Sequence, residues 1–252
     1  MIEFASAADG TPIAYETLGE GAPVVLVHGF GASRVITWAN TNWYQTLTRA
    51  GRRLVAIDCR GHGESGKPHD QPSYEEGRMA ADILTVLDTL GIAKADIIGY
   101  SMGGYLTVRL MHDAPHRARR AVLAGVGEKY FRASRERAEI ISQGLLAPDP
   151  ATIVDPEALL FRTFSERAGN DLMALAACIR RSRHVFEPSE LQVITQPVLV
   201  ICGEVDDTSG PPGPLAAAFP NGRAVTVPRR SHHSTVGDRV FKDAALDFLK
   251  PD

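Results

Sequence analysis

Residues 99–104 read Gly-Tyr-Ser-Met-Gly-Gly, and they constrain this chain more than any other stretch. They follow directly on Ala95-Asp96-Ile97-Ile98, a short apolar run of the kind that forms a buried strand. They lead directly into Tyr105-Leu106-Thr107-Val108-Arg109-Leu110-Met111, which reads as a helix. A strand and a helix with no spare residues between them can be joined only by a sharp turn. That turn forces the serine into a strained, positive-φ backbone, a cost that proteins hold at functional positions. Gly99 and Gly103, two before and two after the serine, remove the Cβ atoms that would clash across the turn. Gly104 lets the helix pack close to its neighbours. The geometry lifts Oγ of Ser101 clear of the sheet and over a helix N-terminus, where the dipole favours developing negative charge. This is the form of a nucleophile elbow.

The rest of the chain supplies the sheet such a turn requires. After an alternating opening around the turn Asp9-Gly10-Thr11-Pro12, which predicts an antiparallel hairpin, come apolar runs too short for helices. They are Val24-Val25-Leu26-Val27, Leu54-Val55-Ala56-Ile57, Ile97-Ile98, Ala121-Val122-Leu123-Ala124 and Val198-Leu199-Val200-Ile201. Runs without alternation fit strands buried on both faces. Helical patterns lie between them, for example over 79–90, with Gly91 as a stop. The expectation is an α/β fold with a mostly parallel central sheet and helices on both faces. Between 127 and 195 the rhythm breaks into Arg- and Glu-rich helical patterns over 135–146 and 156–164 and an apolar run over 172–179, with no convincing strand. We read 127–195 as an inserted helical cap, and 1–126 with 196–252 as one core domain.

Composition narrows the function classes. The 252 residues are 44% apolar and 23% charged with a net charge of −3, and the Lys and Arg residues are scattered, so no nucleic-acid partner is expected. Cys59, Cys178 and Cys202 cannot form a full disulfide set and lack metal-type spacing; they read as buried residues in a reducing compartment. The first ten residues have neither the basic start nor the apolar run of a signal peptide, and nothing reaches bilayer-spanning length. A cytoplasmic location without membrane insertion is the expectation. No metal or other cofactor is expected: the histidines lack ligand spacing, and no G-x-G-x-x-G opens a helix after the first strand. Oligomeric state is not encoded in a pattern of this kind.

A serine hydroxyl needs a base, and the base needs a partner that holds it. Downstream of the strand 198–201 comes Gly203-Glu204-Val205-Asp206-Asp207, a loop at the carboxyl end of a strand, where active-site groups of open α/β sheets gather. After the next strand, Ala224-Val225-Thr226-Val227, comes Pro228-Arg229-Arg230-Ser231-His232-His233-Ser234. With His28-Gly29-Phe30-Gly31 and Asp58-Cys59-Arg60-Gly61-His62-Gly63-Glu64-Ser65, these motifs stand in a characteristic order. Over essentially its full length the chain resembles the α/β-hydrolase fold superfamily, and within it the serine carboxylesterases.

That resemblance implies Ser101 as nucleophile, His232 as base and Asp206 as acid. Asp207 is the alternative acid and Glu128 a third choice, while His233 reads as a loop residue. It implies an oxyanion hole from the backbone N–H groups of Phe30 and Met102, whose side chains then line the pocket floor. His28, Asp58, Arg60 and His62 read as residues that fix loops rather than move protons. Phe30, Trp38, Met102, Phe131, Leu145 and Met173 are the expected substrate-binding residues, although Trp38 and Trp43 could equally pack on a helix. A cap with Leu146, Leu159, Leu160, Phe161 and Phe164 points to an apolar acyl or aryl group. The expected reaction is hydrolysis of small to medium carboxylic esters through an acyl-enzyme. Carbon–carbon bond hydrolysis and perhydrolysis use the same triad, and Arg180, Arg181 and Arg183 could serve a carboxylate in the former. A small-ligand receptor on the same scaffold is the reading from another class.

Overall fold

The apolar runs lie side by side. In the computed structural model, which describes residues 1–132, 134–181 and 183–250, they form the middle of one sheet. Its strands are β1 (Glu3–Ser6), β2 (Pro12–Leu18), β3 (Ala22–Val27), β4 (Arg52–Ile57), β5 (Ala95–Tyr100), β6 (Ala118–Ala124), β7 (Val198–Gly203) and β8 (Gly222–Val227). The spatial order is β1-β2-β4-β3-β5-β6-β7-β8. β1 and β2 pair antiparallel, and β2 joins β4 antiparallel; every pairing from β4 onward through β3 to β8 is parallel.

Two apolar layers show why the runs do not alternate in polarity. Val25, Val27, Ile97, Leu123 and Val200 point to one face, against Met79, Ile83, Leu106 and Leu110 of the helices α2 (Glu76–Thr89) and α3 (Met102–Asp113). Their chain neighbours Val24, Leu26, Ile98, Val122 and Leu199 point to the other, against Trp43 and Leu47 of α1 (Trp43–Arg49) and Phe241 and Ala245 near the C-terminus. Period-two alternation still operates, but both sides are apolar because both are covered.

Between β6 and β7 the chain forms α4 (Arg135–Leu146), α5 (Pro156–Arg167) and α6 (Leu172–Ile179), each started by a capping side chain: Ser134, Asp155 and Asp171. These helices bury Ile141, Leu145, Leu175 and Ala176 among themselves. The last part of this segment behaves differently. Phe186, Leu191 of the short α7 (Pro188–Leu191) and Ile194 enter the main core beside α3. The short α8 (Gly213–Ala216) and α9 (His232–Thr235) precede the final α10 (Arg239–Phe248). Among the described residues no helix is long and apolar enough to cross a membrane.

Loops at the carboxyl edge of the sheet are fixed by buried polar bonds. His28 Nδ1 donates to Gly29 O (2.7 Å), and its Nε2 accepts from Cys59 N–H (3.0 Å). Asp58, fully buried, accepts from the Arg34 guanidinium and from the N–H groups of Arg34 (2.7 Å) and Glu64 (3.0 Å). Arg60 lies flat against Asp82 through two bonds of 2.7 Å. His62 bonds only to Arg60 O (3.0 Å); its Nε2 is buried with no partner among the described residues. Cys59, Cys178 and Cys202 are free and buried.

Burial, with the neighbouring His28 adding to it, lowers the His62 pKa from 6.5 to about 3. The unfolded chain therefore binds a proton on this residue across a pH range in which the folded chain does not. Stability rises with pH wherever the unfolded state holds more protons, so this contribution is complete above about pH 6.5 and is lost on acidification toward pH 3. The expected outcome in urea unfolding is a free energy that falls between pH 6.5 and 4. In His62→Gln the slope should be shallower by up to about 1.4 kcal/mol per pH unit. Equal slopes would mean that His62 titrates normally in the fold.

Candidate active site

The site begins where β5 ends. Ser101 has φ 51° and ψ −114°, a conformation that side-chain-bearing residues rarely adopt. Its own N–H donates to Ala124 O on the adjacent β6 (2.8 Å), and its carbonyl accepts from Gly104 N–H (2.8 Å) and Tyr105 N–H (3.2 Å). The glycines explain why the turn can close. A Cβ on Gly103 would stand 2.1 Å from the Val27 carbonyl oxygen, and one on Gly99 would stand 2.3 Å from the Gly103 oxygen. Backbone cannot yield to such overlaps as a flexible side chain can.

Two loops from the far end of the chain reach this serine. His232 opens α9, and its Nε2 lies 3.1 Å from Ser101 Oγ. Its Nδ1 lies 3.0 Å from Asp206 Oδ2. The second oxygen of Asp206 accepts from the N–H groups of Thr208 (3.0 Å) and Ser209 (2.9 Å). Burial pushes the Asp206 carboxyl up, but the bond and charge of His232, with the Ser209 contacts, more than offset this and hold it below the usual carboxylate value. With Nδ1–H directed at Asp206, Nε2 is left to accept the Ser101 proton. Asp207, by contrast, is exposed and meets Lys129 through its backbone oxygen, and Glu128 pairs with Arg132 (3.0 Å). His233 is exposed beside His232, its ring 5.5 Å away.

The loop after β3 faces the same serine. Ala32 N–H bonds back to Gly29 O (3.3 Å), which turns Phe30 toward the site. Among the described residues neither Phe30 N–H nor Met102 N–H has a hydrogen-bond acceptor. Met102 is the first residue of α3, where a helix leaves its donors free. Two unsatisfied N–H groups beside a serine oxygen are what a developing oxyanion requires. The insert supports this loop: Asn170 Nδ2 donates to Gly31 O (2.6 Å), and the Phe161 ring meets Phe30 edge-on at 5.4 Å.

Two partners of this arrangement have little sequence signature. Ser209 Oγ is 3.1 Å from His232 Nδ1, and Tyr100 donates its hydroxyl proton to the His232 carbonyl. Ser209 could have been sought as the turn residue three after an aspartate, a position whose N–H an Asp side chain commonly captures. Nothing local marks Tyr100.

A cavity of about 1020 Å³ opens over Ser101. Phe30, Met102, Tyr105, Ile141, Phe161 and Ile179 form its apolar part. Four expected substrate-binding residues lie elsewhere. Trp38 is fully buried on the opposite face of the sheet, edge-on to Trp43 at 5.7 Å, because the segment after the Phe30 loop folds under β3. Leu145 packs inside the insert one turn beyond Ile141, against Leu175 and Ala176. Met173, in the first turn of α6, points outward and is 55% exposed while residues 174–178 face inward. Phe131 packs edge-on to Tyr130 at 5.3 Å and against the main core. The cavity is also far more basic than the apolar cap expected. Leu146, Leu159, Leu160 and Phe164 are exposed, whereas Arg135, Arg137, Arg180, Arg181 and Arg183 line the space. Among the described residues no group of three or more His, Cys, Asp or Glu is placed to hold a metal ion.

The parallel sheet with its serine turn and crossing helices is that of the α/β-hydrolase fold, and residues 22–158 match the model of that family. The chain belongs to it. A provisionally named non-heme bromoperoxidase of Mycobacterium tuberculosis is 30% identical over 87% of this chain and 90% of its own. A hydrolase from Pseudomonas aeruginosa superposes with a TM-score of 0.83 at 26% identity, covering 99% of this chain and 98% of its own. An enol-lactonase from Burkholderia xenovorans superposes with a TM-score of 0.81 at 26% identity, covering 98% and 99%. The relatives' names thus span several reactions of one family of enzymes.

The strain at residue 101 is measurable. Ser101→Ala keeps a side chain at φ 51°, while Ser101→Gly relieves it. Denaturant unfolding should place Ser101→Gly more stable than Ser101→Ala by about 1 kcal/mol, after the flexibility that glycine adds to the unfolded chain is set against a strain of about 1–3 kcal/mol. A less stable glycine variant would show that the turn is not strained.

Proposed function

We propose that this protein is a serine hydrolase that cleaves carboxylic esters of small molecules through an acyl-enzyme. The observation that carries this reading is the continuous set of contacts from Ser101 Oγ through His232 to Asp206, with two N–H groups without acceptors, among the described residues, on Phe30 and Met102 in the same cavity. In this reading the proton passes from Ser101 Oγ to His232 Nε2 as Oγ bonds to the ester carbonyl carbon. The resulting imidazolium faces the Asp206 carboxylate, which stabilises it and fixes the ring's orientation. Phe30 and Met102 N–H groups receive the alkoxide. His232 then returns the proton to the departing alcohol, and the same ring activates water to release the acid. Tyr100 and Ser209 act as positioning residues, on the carbonyl and Nδ1 of His232. The segment 127–195, at least through α6, serves as the cap that roofs the substrate.

Initial rates on p-nitrophenyl acetate, butyrate and octanoate test this. Ser101→Ala and His232→Ala are expected to lose at least about 10³-fold in kcat, and Asp206→Asn less than Ser101→Ala. Retained turnover in Ser101→Ala would overturn the reading. The arginines of the cavity favour one second reading, hydrolysis of a carbon–carbon bond in a carboxylate-bearing ketone, with the same serine attacking a carbonyl. Feeble ester turnover together with cleavage of such a ketone would select it. Tight ligand binding with no turnover of either would select a receptor.

A further inference from the structure

The cations of the cavity are not all alike. The whole chain carries a net charge of −3, yet seven cationic side chains line this one space against three carboxylates, those of Glu139, Glu157 and Asp207. Arg137 is neutralised by Asp155 (2.6 Å) and by Glu157, and Arg132 by Glu128 (3.0 Å). Among the described residues Arg180, Arg181 and Arg183 have no carboxylate within ion-pair distance, unlike Arg132 and Arg137. Arg180 Nε donates to Ala176 O (3.3 Å) and Arg181 Nη1 to Cys178 O (3.2 Å), while Arg181 Nε is buried with no acceptor among the described residues.

Arg183 is the best held of the three. Its guanidinium carbon lies 4.2 Å over the Tyr105 ring and 5.7 Å from the Tyr130 ring. Its Nη2 donates to Tyr130 O (3.1 Å) and Arg132 O (2.9 Å). Neutral groups thus fix its plane, and no carboxylate among the described residues pairs with it. A guanidinium held in this way is pre-organised for a carboxylate: with Nη2 committed to the two carbonyls, its Nε and Nη1 hydrogens have no acceptor among the described residues and remain to donate. A buried acid, Glu76, lies outside the cavity lining, with its carboxylate accepting from His184 N–H (3.2 Å). Burial raises the Glu76 carboxyl, and Arg181 and Arg183 act against that rise, so Glu76 shares their field without occupying the cavity side.

Position sets the scale. Tyr105 stands one helical turn after Ser101, about 6 Å along α3, and both residues line the cavity. Ser101 and Arg183 thus line one cavity, and a substrate that reaches both would carry its carboxylate on the acyl side, remote from the ester.

We propose that Arg183, with Arg180 and Arg181 beside it, recognises a free carboxylate on the substrate, so that half-esters of short dicarboxylic acids are preferred to neutral esters. This assignment rests on the serine hydrolase reading above and names its substrate class. The comparison is between monoethyl glutarate and ethyl 5-methylhexanoate, in which an isopropyl group replaces the carboxylate at equal length. The wild type is expected to favour the half-ester in kcat/KM. In Arg183→Gln the half-ester to neutral-ester ratio should fall about tenfold or more, mainly through KM, and Arg183→Lys should recover part of it. Added salt should erode the wild-type preference. An unchanged ratio in Arg183→Gln, or no wild-type preference, would overturn the proposal.

A binding arm needs no turnover. Calorimetry should detect glutarate binding to Ser101→Ala, weakened about tenfold or more when Arg183→Gln is added. Glutarate bound by a protein that hydrolyses no ester would defeat the hydrolase reading and leave the carboxylate site standing. Brisk hydrolysis of neutral esters with no glutarate binding would do the reverse. Inorganic phosphate binding more tightly than glutarate would overturn the carboxylate assignment.

Discussion

A serine held at φ 51° between a strand and a helix persists only where its surroundings exclude every relaxed alternative. Here the exclusion is made by backbone. The Ser101 N–H is committed to β6, its carbonyl to the first turn of α3, and the glycines at 99 and 103 bring chain segments closer than any Cβ permits. The same tightness leaves the Met102 N–H with no acceptor among the described residues and lifts Oγ toward His232. Pre-organised donors of this kind need no rearrangement as charge develops, so the strain and the proposed chemistry are two aspects of one junction.

Buried charge is handled in two opposite ways. Around the Asp58 loop every buried ion is paired: Arg34 with Asp58, and Arg60 with Asp82 and Asp9. Buried ions left single would cost far more than their pairing returns, so these networks hold loop geometry more than they add stability. The cations above Ser101 break that pattern. Arg180, Arg181 and Arg183 rest on carbonyls and an aromatic face, with no carboxylate partner among the described residues.

Much of this was legible in the residues, for a physical reason. Strands covered on both faces must be apolar at consecutive positions, so 24–27, 54–57, 97–98, 121–124 and 198–201 announced a layered parallel sheet. The turn at 99–104 and the chain order pointed to Ser101, His232 and one of two adjacent aspartates, and the structure places Ser101, His232 and Asp206 in hydrogen-bonding reach. The doubled aspartate was undecidable locally, since only the fold buries Asp206 and exposes Asp207. The pocket walls were illegible for a similar reason. Trp38 follows the Phe30 loop in the chain yet enters the layer under β3, and Met173 and Leu145 sit on helices whose facing is set by how three short helices pack together. Apolar content in the insert indicated that it has a core; it did not indicate which side chains would face the serine.

The sheet order also divides the site along the chain. Ser101, Phe30 and Met102 stand on β5 and the loop after β3, near the sheet's centre, whereas Asp206, Ser209 and His232 hang from loops after β7 and β8, the last strands to be added at one edge. During synthesis the emerging polypeptide therefore presents the hydroxyl and its flanking donors while more than half of its sequence still lacks an imidazole partner. In the proposed mechanism, proton transfer becomes available only when the terminal strands dock and α10 closes over the far layer. Competence of the proposed nucleophile is in this sense a report on completion of the chain, because the proposed base arrives only with the loop after β8.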